Sequence, residues 1–140
     1  MRPRDQHVGQ LEVLAAVAAY TSRSEQLRDR DVIHFIDNTG AIFGIAKGYS
    51  ADLDSARLIS VFHTLNAALG ANVWFEYVAS AANIADLPSR GELDLLLSPQ
   101  YGARRFDVSW PPTEAWEGDL TALFARFSPP SGRRRRKRGQ

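Results

Sequence analysis

The stretch from Val32 to Ala41 constrains the fold more than any other part of the chain. An almost unbroken apolar run, Val32-Ile33-His34-Phe35-Ile36, ends in Asp37 and Asn38, and Thr39-Gly40-Ala41 follows, where a helix can begin. This is the pattern of a buried parallel strand. Open α/β sheets bind ligands at the carboxyl edge of such strands, which makes Asp37 the first candidate for chemistry. Asp37 and Asn38 also suit helix capping, because both types accept hydrogen bonds from first-turn N–H groups. The stretch alone leaves both roles open.

The flanking segments supply helices and a second strand. Gln10 to Tyr20 is rich in good helix formers, with Leu11, Leu14, Ala15 and Ala18 at helical spacing, so a helix with that stripe inward is predicted there. Glu12 then stands at the helix start, where a carboxylate complements the dipole. Thr39 to Lys47 reads as a short helix with Ala41, Ile42, Ile45 and Ala46 inward, stopped at Gly48. Asp52 to Leu69 reads as a longer one, with Leu58, Phe62, Leu65 and Leu69 on one face and Gly70 as its stop. Asn72 to Val78 alternates and is rich in β-branched and aromatic residues, as a strand should be. Strand, helices, strand implies a parallel crossover, with both carboxyl ends on one edge. After it, Asn83 can cap a short or distorted helix that places Asp86 in its first turn and meets Pro88. Further on, Glu92 to Leu97 is an apolar patch, and Tyr101 to Phe106 a loop carrying Arg104 and Arg105. Trp116, Leu120, Phe124 and Phe127 recur at near-helical spacing, where they pack inward or, as the alternative, offer a stacking platform for bases; Gly118 interrupts them.

Composition bounds the rest. A chain of 140 residues with 44% hydrophobic content can bury one core. The predicted organisation is a frayed lead-in over 1–9, a core over 10–98, an extension with a helix over 99–128 and a disordered basic tail over 129–140. The absence of cysteine excludes disulfides and thiolate chemistry and agrees with a nuclear or cytoplasmic location. No apolar stretch approaches ~20 residues, so no membrane partner is expected. Arg133, Arg134, Arg135, Arg136, Lys137 and Arg138 supply six of seventeen basic residues, leaving eleven against sixteen acidic ones in the body. Such a run is a nucleic-acid-binding or nuclear-import patch, or simply solvated charge.

Three acids stand in a pattern: Glu12 on the first helix, Asp37 at a strand end, Asp86 after the next strand. Carboxylates gathered at one edge repel unless a cation neutralises them, and hard oxygen ligands select Mg²⁺ or Mn²⁺. That chemistry suits two-metal phosphodiester hydrolysis.

Gln10-Leu11-Glu12-Val13-Leu14-Ala15, then Val32 to Ala41 with Lys47-Gly48, then Asn83-Ile84-Ala85-Asp86-Leu87-Pro88-Ser89-Arg90, resemble the ribonuclease H domain of retrotransposon reverse transcriptases. Order and intervening lengths both fit over residues 8–91, and the Asn-x-Ala-Asp-x-x-Ser-Arg ending is the most specific piece. The resemblance implies hydrolysis of the RNA strand of RNA–DNA hybrids with two Mg²⁺ ions held by four acids. Glu12, Asp37 and Asp86 match the second, third and fourth of these, as catalytic residues and metal ligands. Asn38, Lys47, Ser89 and Arg90 are implied nucleic-acid contacts, and the rest of a polyprotein is an implied partner.

The family places a three-stranded antiparallel meander before the first helix, with the first acid on its first strand. Only about ten residues precede Glu12 here, too few for three strands of ~5 residues. Asp5 is a poor substitute, and no histidine stands between Ala79 and Ala82. The predicted fold class is therefore α/β, a truncated ribonuclease H-like domain: a short parallel sheet core flanked by helices, without the first meander. Losing the meander would leave a sheet face and edge uncovered. The predicted function is an incomplete hydrolase of retroelement origin. The alternative is a catalytically inactive nucleic-acid-binding or protein-interaction module.

Overall fold

The strand expected over 32–37 forms as β1 (Asp31–Ile36), and it pairs in parallel with β2 (Asn72–Tyr77) from Asp31↔Asn72 through Ile36↔Tyr77. Strict alternation decides what each side chain meets. Val32 and Ile36 of β1, with Val73 and Phe75 of β2, belong to or pack against the core, and His34 meets the rings of Tyr20 and Phe75. Ile33, Phe35 and Trp74 point the other way and are 65, 59 and 67% exposed. The apolar run suggests a buried strand, yet among the described residues only one face is covered, and β1 and β2 are the whole sheet there. This computed structural model describes residues 3–48 and 52–130, with side chains from Gly9 onward. The basic run Arg133 to Arg138, and the disorder expected for it, lie outside the described residues.

Seven α-helices accompany the sheet among those residues, so the chain is mixed α/β. The connection from β1 to β2 runs through α3 (Thr39–Lys47) and α4 (Leu53–Leu69), with α1 (Pro3–Ser22) and α2 (Ser24–Leu27) preceding β1. Their ends follow from the sequence. Asn38 caps α3 by accepting the Ala41 N–H at 2.8 Å, and Asp52 caps α4 by accepting the Ser55 N–H at 2.8 Å. Gly48 and Gly70 close the two helices at φ +73° and +67°, a region that residues with a Cβ enter at a penalty. Three consecutive 3₁₀ turns, Ser80–Ala82, Ile84–Asp86 and Pro88–Arg90, follow β2 where a short or distorted helix was expected. Beyond them stand α5 (Leu93–Leu97), α6 (Thr113–Trp116) and α7 (Thr121–Phe127), the last two separated around Gly118 at φ +104°.

α1 departs from expectation twice. It begins at Pro3, not Gln10, so residues 3–9 are its opening turns and not a frayed lead-in. Proline suits that first position, where its missing N–H has no partner to lose. Its buried face is Val13, Ala16, Val17 and Tyr20, while Leu11 is 63% exposed. The run is apolar around most of its circumference, so two stripes satisfy the helical period. Tyr20 selects between them, because its hydroxyl meets His34 Nδ1 at 2.9 Å and its ring stacks on the imidazole at 5.5 Å. Burial pushes the His34 pKa down, which favours the neutral ring where it packs.

One buried cluster joins Val13, Ile36, Ile45, Phe62, Leu65 and Leu69 with Ala115, Leu123 and Phe127. α4 is its centre, packed against α1, α6 and α7. The extension predicted over 99–128 is thus part of the same core. In α7 the buried residues are Leu123 and Phe127, and Phe124, expected inward, is half exposed. Among the described residues no helix is long and apolar enough to cross a membrane.

Candidate functional site

Asp37 is the first residue after β1, and Asn38 takes the capping position of α3. The two roles left open in the sequence are therefore divided between neighbours. Asn38 spends its side-chain carbonyl on the helix, and the Asp37 carboxylate is left for other partners.

Those partners come from three elements. Because α1 begins at Pro3, Glu12 lies in the middle of the helix and not in its first turn. One turn before the buried Ala16, it sits at the margin of the packed face, which points it at the strand end. Its pKa is raised, first by burial and then by the charge of Asp37, a hydrogen bond with that carboxyl and the charge of Asp86. Asp86, in the second 3₁₀ turn, is also raised: desolvation leads, the charge of Asp37 and a hydrogen bond to it follow, and Arg90 opposes them. For Asp37 itself desolvation pushes upward, but hydrogen bonds from Asn83, Asp86, Ser80 and Glu12 outweigh it and hold the pKa below the ordinary value. The structure thus brings Glu12, Asp37 and Asp86 together, with Asp37 as the shared member. They form a carboxyl cluster in which Asp37 is the member whose ionised form the neighbours favour.

Ser80 and Asn83 were not among the residues singled out for chemistry. Asn83 caps the second turn through its carbonyl, which accepts the Ala85 N–H at 3.1 Å. That leaves its amide N–H₂ as the donor to Asp37. The only signal in the sequence was the cap itself, which shows the carbonyl half of the side chain and not the amide half.

The residues implied as nucleic-acid contacts distribute unevenly. Ser89 Oγ donates to the Asp86 carbonyl at 2.7 Å, and Arg90 Nη2 donates to the Asn83 carbonyl at 3.3 Å, so both brace the turn that carries Asp86. Both remain exposed. Lys47 is exposed at the far end of α3, about 13.5 Å of helix from Asn38. Hard carboxylate oxygens are the right donors for Mg²⁺ or Mn²⁺. Even so, among the described residues no group of three or more His, Cys, Asp or Glu side chains is arranged to hold a metal ion. As placed, Glu12 and Asp86 each hydrogen-bond with Asp37, and Asp86 reaches Glu12 through its charge alone. No protein-family model, curated protein or solved structure matches the chain.

Proposed function

We propose that the chain is a ribonuclease H-like domain of retroelement origin, and that Glu12, Asp37 and Asp86 are its inherited hydrolytic acids. The observation that carries this reading is the position of Asp37: at the carboxyl end of β1, relieved of capping by Asn38, and in contact with an acid from α1 and an acid from the turns after β2. Two carboxyls with raised pKa around one held ionised form a charge-strained group that a dication would relieve. The donor chemistry fits Mg²⁺ or Mn²⁺, with Asp37 as the ligand common to the other two acids. Such an ion, when bound, would lower the pKa of water and stabilise charge on a leaving phosphodiester oxygen.

The chain's own contribution is to fix the acids. β1 presents Asp37, Ser80 and Asn83 keep it ionised, and the turn braced by Ser89 and Arg90 sets Asp86 against it. Glu12, partly desolvated on α1, can carry a proton where Asp37 does not. RNA–DNA hybrid is the substrate class, and the run Arg133 to Arg138 adds sequence-independent attraction for phosphates. With three of the resembled family's four acids matched, hydrolysis by this chain is incomplete, and a binding module without catalysis is the second reading.

The test is cleavage of a labelled RNA–DNA hybrid in Mg²⁺ or Mn²⁺ by the 140-residue chain and by Asp37→Asn. The expected outcome is little or no cleavage by either, with the hybrid still bound. Robust cleavage that Asp37→Asn abolishes would show a complete site, and absence of hybrid binding would remove the reading altogether.

A further inference from the structure

The segment between α5 and α6 carries a feature unrelated to the acids. Residues 104–110, Arg-Arg-Phe-Asp-Val-Ser-Trp, form neither helix nor strand, yet they are pinned to the body at several points. The Ser109 N–H donates to Ser22 Oγ at 2.8 Å, and that hydroxyl donates back to the Ser109 carbonyl at 3.3 Å. Arg126 of α7 donates to the Trp110 carbonyl at 3.2 Å and to Ser109 Oγ at 3.4 Å. On the other side the Arg23 guanidinium lies 5.3 Å from the centre of the Phe106 ring. Despite this anchoring, Phe106 and Trp110 remain 52 and 49% exposed. Arg23, Arg104, Arg105 and Arg126 are all exposed and form no ion pair among the described residues. Asp107 is the one acid in the strip.

From this placement we propose that the strip Arg104 to Trp110, flanked by Arg23 and Arg126, binds single-stranded nucleic acid. Guanidinium groups interleaved with aromatic rings are what an unpaired strand requires, since the cations track its phosphates and each ring offers a face to an unstacked base. Because the Phe106 ring lies under Arg23 and the backbone at Ser109 and Trp110 is pinned, little ordering of the strip is needed on binding. A duplex offers no free base faces to these rings, which favours a single strand over the hybrid assigned to the acid cluster. The proposal shares only the polyanionic ligand class with the function proposed above and does not depend on the acids.

The test is fluorescence anisotropy of labelled oligothymidylate and oligouridylate titrated with the full chain. The parent should bind, and Phe106→Ala combined with Trp110→Ala should weaken binding roughly 10- to 100-fold at fixed salt. Phe106→Tyr with Trp110→Phe should restore most of it. Arg104→Gln with Arg105→Gln should flatten the slope of log affinity against log salt by about 1.4. Asp37→Asn should bind like the parent, which separates this surface from the acid cluster. Circular dichroism and the thermal midpoint show whether each variant is folded; should the double alanine variant unfold, Phe106→Leu serves in its place and is expected to bind several-fold more weakly. Parent-like binding by a folded variant lacking the rings would overturn the proposal. So would selective loss in Asp37→Asn, or binding to phosphatidylserine vesicles with none to either oligonucleotide.

Discussion

Glu12 shows how much one side chain's position depends on where its helix begins. A first-turn glutamate would be ordinary dipole complementation, whereas the tenth residue of α1, at the margin of the packed face, answers to Asp37 and Asp86 instead. Its raised pKa means that the folded state holds its proton more tightly than the unfolded chain does. The resulting penalty is fully present above the folded pKa and vanishes as pH falls below the ordinary value of 4.5. Glu12→Gln should therefore raise the thermal midpoint at pH 7 by roughly 1–4 °C, with the gain fading below about pH 4. An unchanged midpoint in calorimetry across that range would show that the carboxyls do not interact. Asp37 was legible from the sequence because a strand end exposes its chemistry in one dimension. The partners of Asp37 were not, because Ser80 and Asn83 reach it only once the turns after β2 have folded back.

At the level of elements, periodicity located α3, α4, β1 and β2 to within a residue or so, since each carries one dominant stripe and a glycine or a cap at its end. It failed where two stripes compete. In α1 the near-continuous apolar surface admits Leu11-Leu14-Ala15-Ala18 as readily as Val13-Ala16-Val17-Tyr20, and only a contact distant in sequence, Tyr20 to His34, breaks the tie. In α7 the same ambiguity exchanged Phe124 for Leu123. The division between Asp37 and Asn38 makes a separable prediction. Asn38→Ala should destabilise the chain by about 1 kcal/mol through the lost cap, and Asn38→Asp should recover most of it. Chemical denaturation of the two variants checks this. An alanine variant as stable as the parent would mean that the Ala41 N–H is satisfied elsewhere.

For the molecule as a whole, the boundary expected near residue 98 does not divide the packing. Leu123 is fully buried beside residues of α4, so it belongs to the same cooperative unit as Ile36 and Phe62. Leu123→Ala should cost about 2–5 kcal/mol and shift one unfolding transition, monitored by both far-ultraviolet dichroism and tryptophan fluorescence. Two separate transitions would show that the C-terminal helices fold on their own. The aromatic spacing of this segment points to packing against the body, and helices as short as α6 and α7 acquire their order from what they pack against. The outer row of the sheet has the opposite character, with Ile33, Phe35 and Trp74 in water and the Trp74 indole N–H donating to Glu76 at 2.7 Å. An indole so placed makes the sheet its own optical probe, since whatever comes to rest on that row must dry the ring and shift its emission to shorter wavelength.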